Sequence, residues 1–181
     1  MRGASTRLQL TASSILTVSC LPKHPSASER RSKRHGLRGS NILLTSDYIH
    51  SYIQLRLGYL LVSLFASNPK YSVYSEPRIR VRNDIVRLLD ICVLDYRPAP
   101  NTAPTQPPIV AIEIVSEDDR YSEILRKLRE YHEWGVPHVW LIDPRSEQLA
   151  VYGANGFAQV EALTLPEFSF SVTLKELLPI E

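Results

Sequence analysis

The sequence predicts a mixed α/β (or α+β) fold, in which helices flank one mixed sheet. A helix, three strands, a second helix and further strands are predicted in that order along residues 46–181. The most informative segment is 109–115, a β-branched run that is apolar except for Glu113. The chain of 181 residues has room for one domain, and 44% hydrophobic with 22% charged residues is typical of globular proteins.

Clear signals bound the elements of the first half. Apolar residues recur at three- and four-residue spacing from 49 to 64, which predicts a helix that ends before Asn68-Pro69. The alternation over 78–82 predicts a strand, and the apolar run 88–94 predicts another. Five prolines between 98 and 108 predict a loop, because proline lacks the N–H that helix and sheet interiors need.

The second half continues with a strand and a helix. Residues 109–115 predict a central strand that is covered on both faces. Asp118 or Asp119 is predicted to cap the next helix, which runs to Trp134 and is followed by Gly135 in the left-handed conformation.

Three further strands are predicted at 139–142, 149–152 and 157–163. Asn155-Gly156 predicts a hairpin turn between the last two of them. This order of elements predicts a mixed sheet flanked by helices, and no internal repeat is visible.

The composition excludes several classes of protein. No glycine lies between Gly58 and Gly135, so this region holds neither a phosphate-binding loop nor a dinucleotide fingerprint. Cys20 and Cys92 form no CxxC motif, which argues against a thiolate zinc site or a disulfide framework. The longest apolar run, 57–66, is far short of the ~20 residues of a membrane span, so we predict no membrane contact and a cytoplasmic location.

Charge divides the chain into two parts. Residues 1–45 carry eight Lys/Arg and one acid (+7), whereas 46–181 carry 13 Lys/Arg and 18 acids (−5), which together give the net charge of +2. We predict that 1–45 is a basic, disordered extension and that 46–181 is the folded domain. A transit peptide, a nucleic-acid-binding tail and a misassigned start remain alternatives for the first part.

Two acids stand alone in apolar strands, Asp90 and Glu113. An unpaired buried carboxylate costs several kcal/mol, so each is expected at a strand end, beside a cation or at a metal. Lys127 flanks the apolar face of the following helix, from where its ammonium can reach a strand end. Two carboxylates and a lysine are what a Mg²⁺ ion and an attacking water require.

A structural alternative is equally simple. Glu123 precedes Lys127 by four residues and can form a surface pair with it, while both strand acids accept backbone hydrogen bonds. The same helix is predicted to point Arg126, Arg129 and Glu130 outward. Spacing alone favours this structural interpretation over the catalytic one.

Several motifs with fixed spacing resemble the Uma-two family of endonucleases, which have the PD-(D/E)XK restriction-endonuclease fold. The resemblance covers about residues 46–165 and is most specific between 109 and 152. The matching segments are Ala111-Ile112-Glu113-Ile114-Val115-Ser116-Glu117-Asp118-Asp119-Arg120, Lys127, Tyr131, Gly135-Val136-Pro137, Val139-Trp140-Leu141-Ile142-Asp143-Pro144 and Val151-Tyr152.

The resemblance implies a DNA endonuclease that depends on Mg²⁺ or Mn²⁺. It implies that Asp90 and Glu113 bind the metal, that the backbone carbonyl of Ile114 is a further ligand, and that Lys127 is the catalytic lysine. His50 matches a histidine of the family's first helix. The resemblance also makes a homodimer plausible.

The chain departs from the family pattern before its first helix. The family has an upstream strand of the form Tyr-Glu-Leu-x-x-Gly-Glu that carries another acid, and residues 1–49 contain no such segment. Leu89 replaces the proline before the first motif acid, and the proline-rich loop is an insertion. An inactive nuclease-fold binding module and a decayed copy therefore remain alternatives to an active enzyme.

Three arginines share one face of the predicted strand 78–82, namely Arg78, Arg80 and Arg82. They can track a phosphate backbone, or they can deter strand pairing at an exposed edge. The sequence favours neither interpretation.

Overall fold

The structure is a computed structural model that describes residues 45–179, with side chains from Tyr48 onward. The predicted disordered tail, apart from Thr45, lies outside these residues. The described part contains three α-helices, ten strands and one short 3₁₀ helix at Pro166–Phe168. The elements are α1 (Thr45–Phe65), β1 (Ser72–Ser75), β2 (Arg78–Arg82), β3 (Ile85–Leu88), β4 (Ile91–Leu94), β5 (Val110–Ile114), α2 (Tyr121–Trp134), β6 (His138–Asp143), β7 (Gln148–Gly153), β8 (Gly156–Val160), β9 (Ala162–Leu165), β10 (Phe170–Thr173) and α3 (Leu174–Leu177).

Six strands form one mixed sheet in the order β1-β4-β5-β6-β7-β8. Its neighbours pair antiparallel except β5 and β6, which are parallel and joined by α2, as a parallel connection requires a crossover. β2 with β3 and β9 with β10 form two separate two-stranded sheets. The mixed sheet flanked by helices confirms the predicted fold class.

The central strand β5 is buried over its whole length, which confirms the prediction from its β-branched run. On one face, Ile112 and Ile114 belong to a core cluster that includes Ile53 and Leu57 of α1. On the other face, Ala111 belongs to a cluster that includes residues of α2. Two helices thus cover β5 from opposite sides.

Within residues 45–179, none of the helices combines the length and the apolar character needed to span a bilayer.

The predicted strand 88–94 is in fact divided. β3 ends at Leu88 and β4 begins at Ile91, so that Leu89 and Asp90 form the connection between a small sheet and the large one. The apolar run gives no sign of this break, because Leu89 is itself buried in the core. The division places Asp90 at a strand end.

The predicted cap of α2 was wrong. The N-cap residue is Arg120, which makes no side-chain capping bond. Asp119 instead accepts hydrogen bonds from the backbone N–H and the hydroxyl of Ser116, both at 2.8 Å, and so closes the turn before the helix. At the other end, Gly135 is left-handed with φ 99°, as predicted.

The predicted hairpin exists, but its turn is shifted by one residue. Gly153 pairs with Gly156, so that Ala154 and Asn155 form the two-residue loop. The positive φ belongs to Gly156, at 85°. The glycine therefore lies at the base of the turn and not at its centre.

Two glycine substitutions with opposite expected effects test the backbone of the helices. Gly135→Ala should destabilise the protein by about 1 kcal/mol, because an L-residue is strained in the left-handed region. Gly58→Ala, inside α1, should stabilise it by about 0.5–1 kcal/mol through higher helix propensity. A Cβ would meet no atom within 4 Å at either position, so contacts do not confuse the comparison. Urea unfolding measures the change in the free energy of unfolding for each variant, and a change of the same sign in both would contradict the prediction.

Candidate active site

Asp90 and Glu113 lie opposite each other where two central strands meet. Ile91 at the start of β4 pairs with Ile112 of β5. Because the strands are antiparallel, one step beyond this pair places Asp90 opposite Glu113. The two acids that stand alone in the sequence are therefore neighbours in the sheet.

Asp90 continues the hydrogen bonding of the sheet with its side chain. Its Oδ2 accepts a bond of 2.6 Å from the backbone N–H of Ile114, at the end of β5. The same oxygen lies 3.3 Å from Nε2 of His50, on α1. Gln54 of the same helix donates to the backbone carbonyl of Asp90 at 3.0 Å. Helix α1 and strand β5 thus fix this carboxylate in one position, although its side chain remains 21% exposed.

Glu113 is buried, with 4% of its surface exposed, and both of its oxygens face α2. Nζ of Lys127 donates to Oε2 at 2.7 Å, and the hydroxyl of Tyr131 donates to Oε1 at 2.6 Å. The two donors are four residues apart and therefore lie on the same face of the helix. The predicted approach of Lys127 to a strand acid is what the structure shows, while its surface pair with Glu123 is not.

Burial controls the electrostatics of this cluster. It raises the pKa of Glu113 to about 7, an effect that Lys127 opposes and the charge of Asp90 reinforces. Burial also lowers the pKa of Lys127, but the Glu113 carboxylate outweighs it, so that this pKa is raised overall. Burial raises the pKa of Tyr131 far above its usual range, which keeps its hydroxyl a hydrogen-bond donor.

The candidate site offers two carboxylates, the kind of ligand that a hard divalent cation prefers. The two carboxylates are close enough for the charge of Asp90 to disfavour ionisation of Glu113, an effect that a bound cation would relieve. Lys127 supplies part of this compensation, since its ammonium contacts Glu113 directly. No group of three or more His, Cys, Asp or Glu side chains is placed to hold a metal within the described residues. The predicted ligand role of the Ile114 carbonyl stays a prediction.

Two features of the site were missed or misjudged from sequence. The spacing of Tyr131 on the apolar face of α2 predicts a core residue, and it is fully buried, but its hydroxyl also binds Glu113. Its four-residue spacing from Lys127 could have indicated this. Glu130 was predicted to point outward and is buried instead, with 7% exposed, in a two-bond pair with Arg87 of β3. Sequence could not indicate this pair, because its partners are 43 residues apart.

The fold resembles that of a solved protein described as a putative nuclease. The chain matches the crystal structure of a protein described as a putative nuclease belonging to DUF820 from Anabaena variabilis, with a TM-score of 0.63 and 21% sequence identity. The match covers 71% of this chain and 79% of that one. No curated protein shows significant sequence similarity to the chain. The mixed sheet flanked by helices is thus a fold that the chain shares with the Anabaena variabilis protein.

The chain belongs to the Uma2 family, whose description is "Putative restriction endonuclease". The family match extends over residues 26–180, and thus over most of the chain. It confirms the resemblance that the motifs between 109 and 152 indicated.

Proposed function

We propose that the protein is a Mg²⁺-dependent endonuclease that hydrolyses phosphodiester bonds in DNA. The observation that carries the proposal is the cluster itself: Asp90 opposite Glu113, with Nζ of Lys127 at 2.7 Å from Glu113. The family supports a nuclease, and the two carboxylates favour a cation with oxygen ligands, Mg²⁺ or Mn²⁺.

Each residue of the cluster has a proposed task. Asp90 and Glu113 would hold the cation, and the backbone carbonyl of Ile114 would be a further ligand. When bound, the cation would lower the pKa of nearby water and offset the negative charge that develops on the phosphoryl group. Tyr131 holds Glu113 in place through a bond of 2.6 Å.

Lys127 suits a role beside the attacking water. Its side chain is 27% exposed, so it is packed over much of its length without being sealed from solvent. A positively charged donor at this position orients a water molecule and stabilises a developing hydroxide. His50, 3.3 Å from Asp90, has the simpler task of fixing that carboxylate.

A second candidate function is binding of nucleic acid without cleavage. It is favoured by one observation: the described residues contain two strand acids but no group of three potential metal ligands. The fold would then be retained for recognition, and the paired acids would serve the structure of the sheet end.

Plasmid cleavage separates these functions. The wild-type chain should cleave plasmid DNA with Mg²⁺ or Mn²⁺ and lose this activity in EDTA. Asp90→Asn should lower the rate at least about 100-fold, because the amide keeps the bond from Ile114 but removes the charge. Asp95→Asn is the matched control, since Asp95 directly follows β4, at its other end, and pairs with Lys70 instead.

Three outcomes are informative. Cleavage that only Asp90→Asn removes supports the endonuclease. Metal-dependent cleavage that survives Asp90→Asn contradicts the proposed site. DNA binding without cleavage by the wild-type chain favours the second candidate.

A further inference from the structure

The β2–β3 hairpin carries a basic outer face. Arg78, Arg80 and Arg82 are exposed, and they alternate along β2 with Ile79 and Val81, which are buried in the core. The three exposed side chains therefore point to the same side, away from the core. We refer to these three residues as the arginine face.

The arginine face forms no close ion pair within the described fold, although the charge of Arg82 acts on Glu130 from a longer distance. No carboxylate oxygen of residues 48–179 lies within 4.0 Å of its three guanidinium groups. Their one hydrogen bond in that part of the chain runs from Arg80 to the backbone carbonyl of Asn83, at 3.0 Å. Residues 46–181 carry a net charge of −5, with 13 Lys/Arg and 18 acids, so a patch of three cations without a close ion pair in the described fold is unusual for this domain.

Protection of a strand edge does not explain these arginines. The backbone N–H of Arg80 donates to the carbonyl of Pro104 at 2.8 Å, so the proline-rich loop covers the outer edge of β2. Side chains of a strand also stand roughly perpendicular to the sheet and do not guard its edge directly. Because the loop already covers this edge, charged side chains are not required there to prevent another strand from pairing with it.

The hairpin is held firmly to the part of the fold that carries the acids. From its inner face, Arg87 makes two bonds of 2.7 and 2.9 Å with Glu130 of α2, the helix that also carries Lys127. β3 leads through Leu89 directly to Asp90. A ligand that binds the outer face of the hairpin is thus held in a fixed position relative to the candidate active site.

We propose that the arginine face binds the sugar–phosphate backbone of duplex DNA and so positions it for the candidate active site. The proposal rests on the DNA endonuclease function proposed above. Alternate residues of a strand are ~6.8 Å apart, so three arginines follow ~14 Å of an anionic backbone. A guanidinium group can bind a phosphate through two parallel hydrogen bonds. Val86 and Leu88, opposite Arg80 and Arg78 on β3, are 44% and 52% exposed and offer apolar contact to the sugars.

The test measures binding of a labelled duplex to the full chain by fluorescence anisotropy in EDTA, across a range of salt concentrations. The triple variant R78Q/R80Q/R82Q should bind at least about tenfold more weakly at physiological salt, and its slope of log affinity against log salt should fall by about 2 to 3. R78K/R80K/R82K should keep a slope near that of the wild type, because it keeps the charges.

The matched control removes the same charge elsewhere. Arg56, Lys70 and Lys175 are exposed cations outside the hairpin, and R56Q/K70Q/K175Q should leave affinity and slope nearly unchanged. Equal losses in both triple variants would overturn the proposal, as would a wild-type chain that does not bind the duplex. Thermal unfolding checks that R78Q/R80Q/R82Q is folded.

The two proposals fail separately. Binding that depends on the arginine face, without any metal-dependent cleavage, would retain this surface and reject the endonuclease. Metal-dependent cleavage with unaltered binding by R78Q/R80Q/R82Q would retain the endonuclease and reject this surface.

Discussion

Lys127→Met should abolish metal-dependent cleavage, with a rate at least about 100-fold below that of the wild type. The ammonium of Lys127 is the cation that contacts Glu113, at 2.7 Å, and it is the donor proposed to act on the attacking water. Methionine keeps an unbranched, flexible side chain of similar length along the helix, so the packing of the stem is largely retained. Initial rates of plasmid cleavage measure the effect.

Lys175→Met is the control for this substitution. Lys175 lies on the short helix α3, is exposed, and contacts no acid of the candidate site. Its replacement should leave the rate of cleavage unchanged. Cleavage by Lys127→Met at the wild-type rate would show that Lys127 only neutralises a buried carboxylate.

Glu130→Ala should lower the free energy of unfolding by about 2–4 kcal/mol. Removal of this carboxylate leaves Arg87 charged, with 18% of its side chain exposed and both of its bonds to Glu130 lost. Glu133→Ala, at an exposed position one turn later, should change stability by less than about 0.5 kcal/mol. Urea unfolding measures both, and a similar effect for the two variants would contradict the importance of the pair.

The same pair makes stability depend on pH in acid. The hydrogen bond from Arg87 lowers the pKa of Glu130 below its ordinary value of 4.5. A carboxyl group whose pKa is lower in the folded state stabilises the protein above its unfolded pKa, and this contribution is lost as the pH falls through the folded pKa. The stability difference between wild type and Glu130→Gln should therefore be largest near neutral pH and shrink below about pH 4.5. A difference that grows in acid would contradict this sign.

Much of the fold follows from local patterns in the sequence. The run 109–115 predicts β5 because β-branched residues without interruption suit a strand that is buried on both faces. The left-handed Gly135 follows from the termination signals of helices. These patterns act within a few residues, and sequence shows them directly.

Residues of the candidate site could be predicted from sequence because burial of an unpaired carboxylate costs free energy. A single acid in an apolar strand must find a partner, which led to Asp90, Glu113 and Lys127. The partners themselves depend on the register of β4 against β5, which the sequence does not reveal. Tyr131 was therefore assigned to packing alone, although its hydroxyl completes the binding of Glu113.

Other contacts were unpredictable because distant segments create them. Glu130 has the position of a surface residue on α2 and is buried by the β2–β3 hairpin, through Arg87. The N-cap of α2 differs from the predicted one for a local reason, because the Asp119 carboxylate accepts a hydrogen bond from nearby Ser116 and not from the helix N-terminus. Such competition between neighbouring hydrogen bonds is decided by geometry that a residue pattern does not contain.

The proposed cation site at Asp90 and Glu113, beside Lys127, is tested most directly by calorimetric titration of Mg²⁺ into the full chain. The wild type should bind Mg²⁺, Asp95→Asn should bind it equally well, and Asp90→Asn should bind it at least about tenfold more weakly. At pH values near the pKa of Glu113, about 7, binding should also release protons, because the cation favours the ionised carboxylate. Equal Mg²⁺ affinity in the wild type and Asp90→Asn would contradict the site.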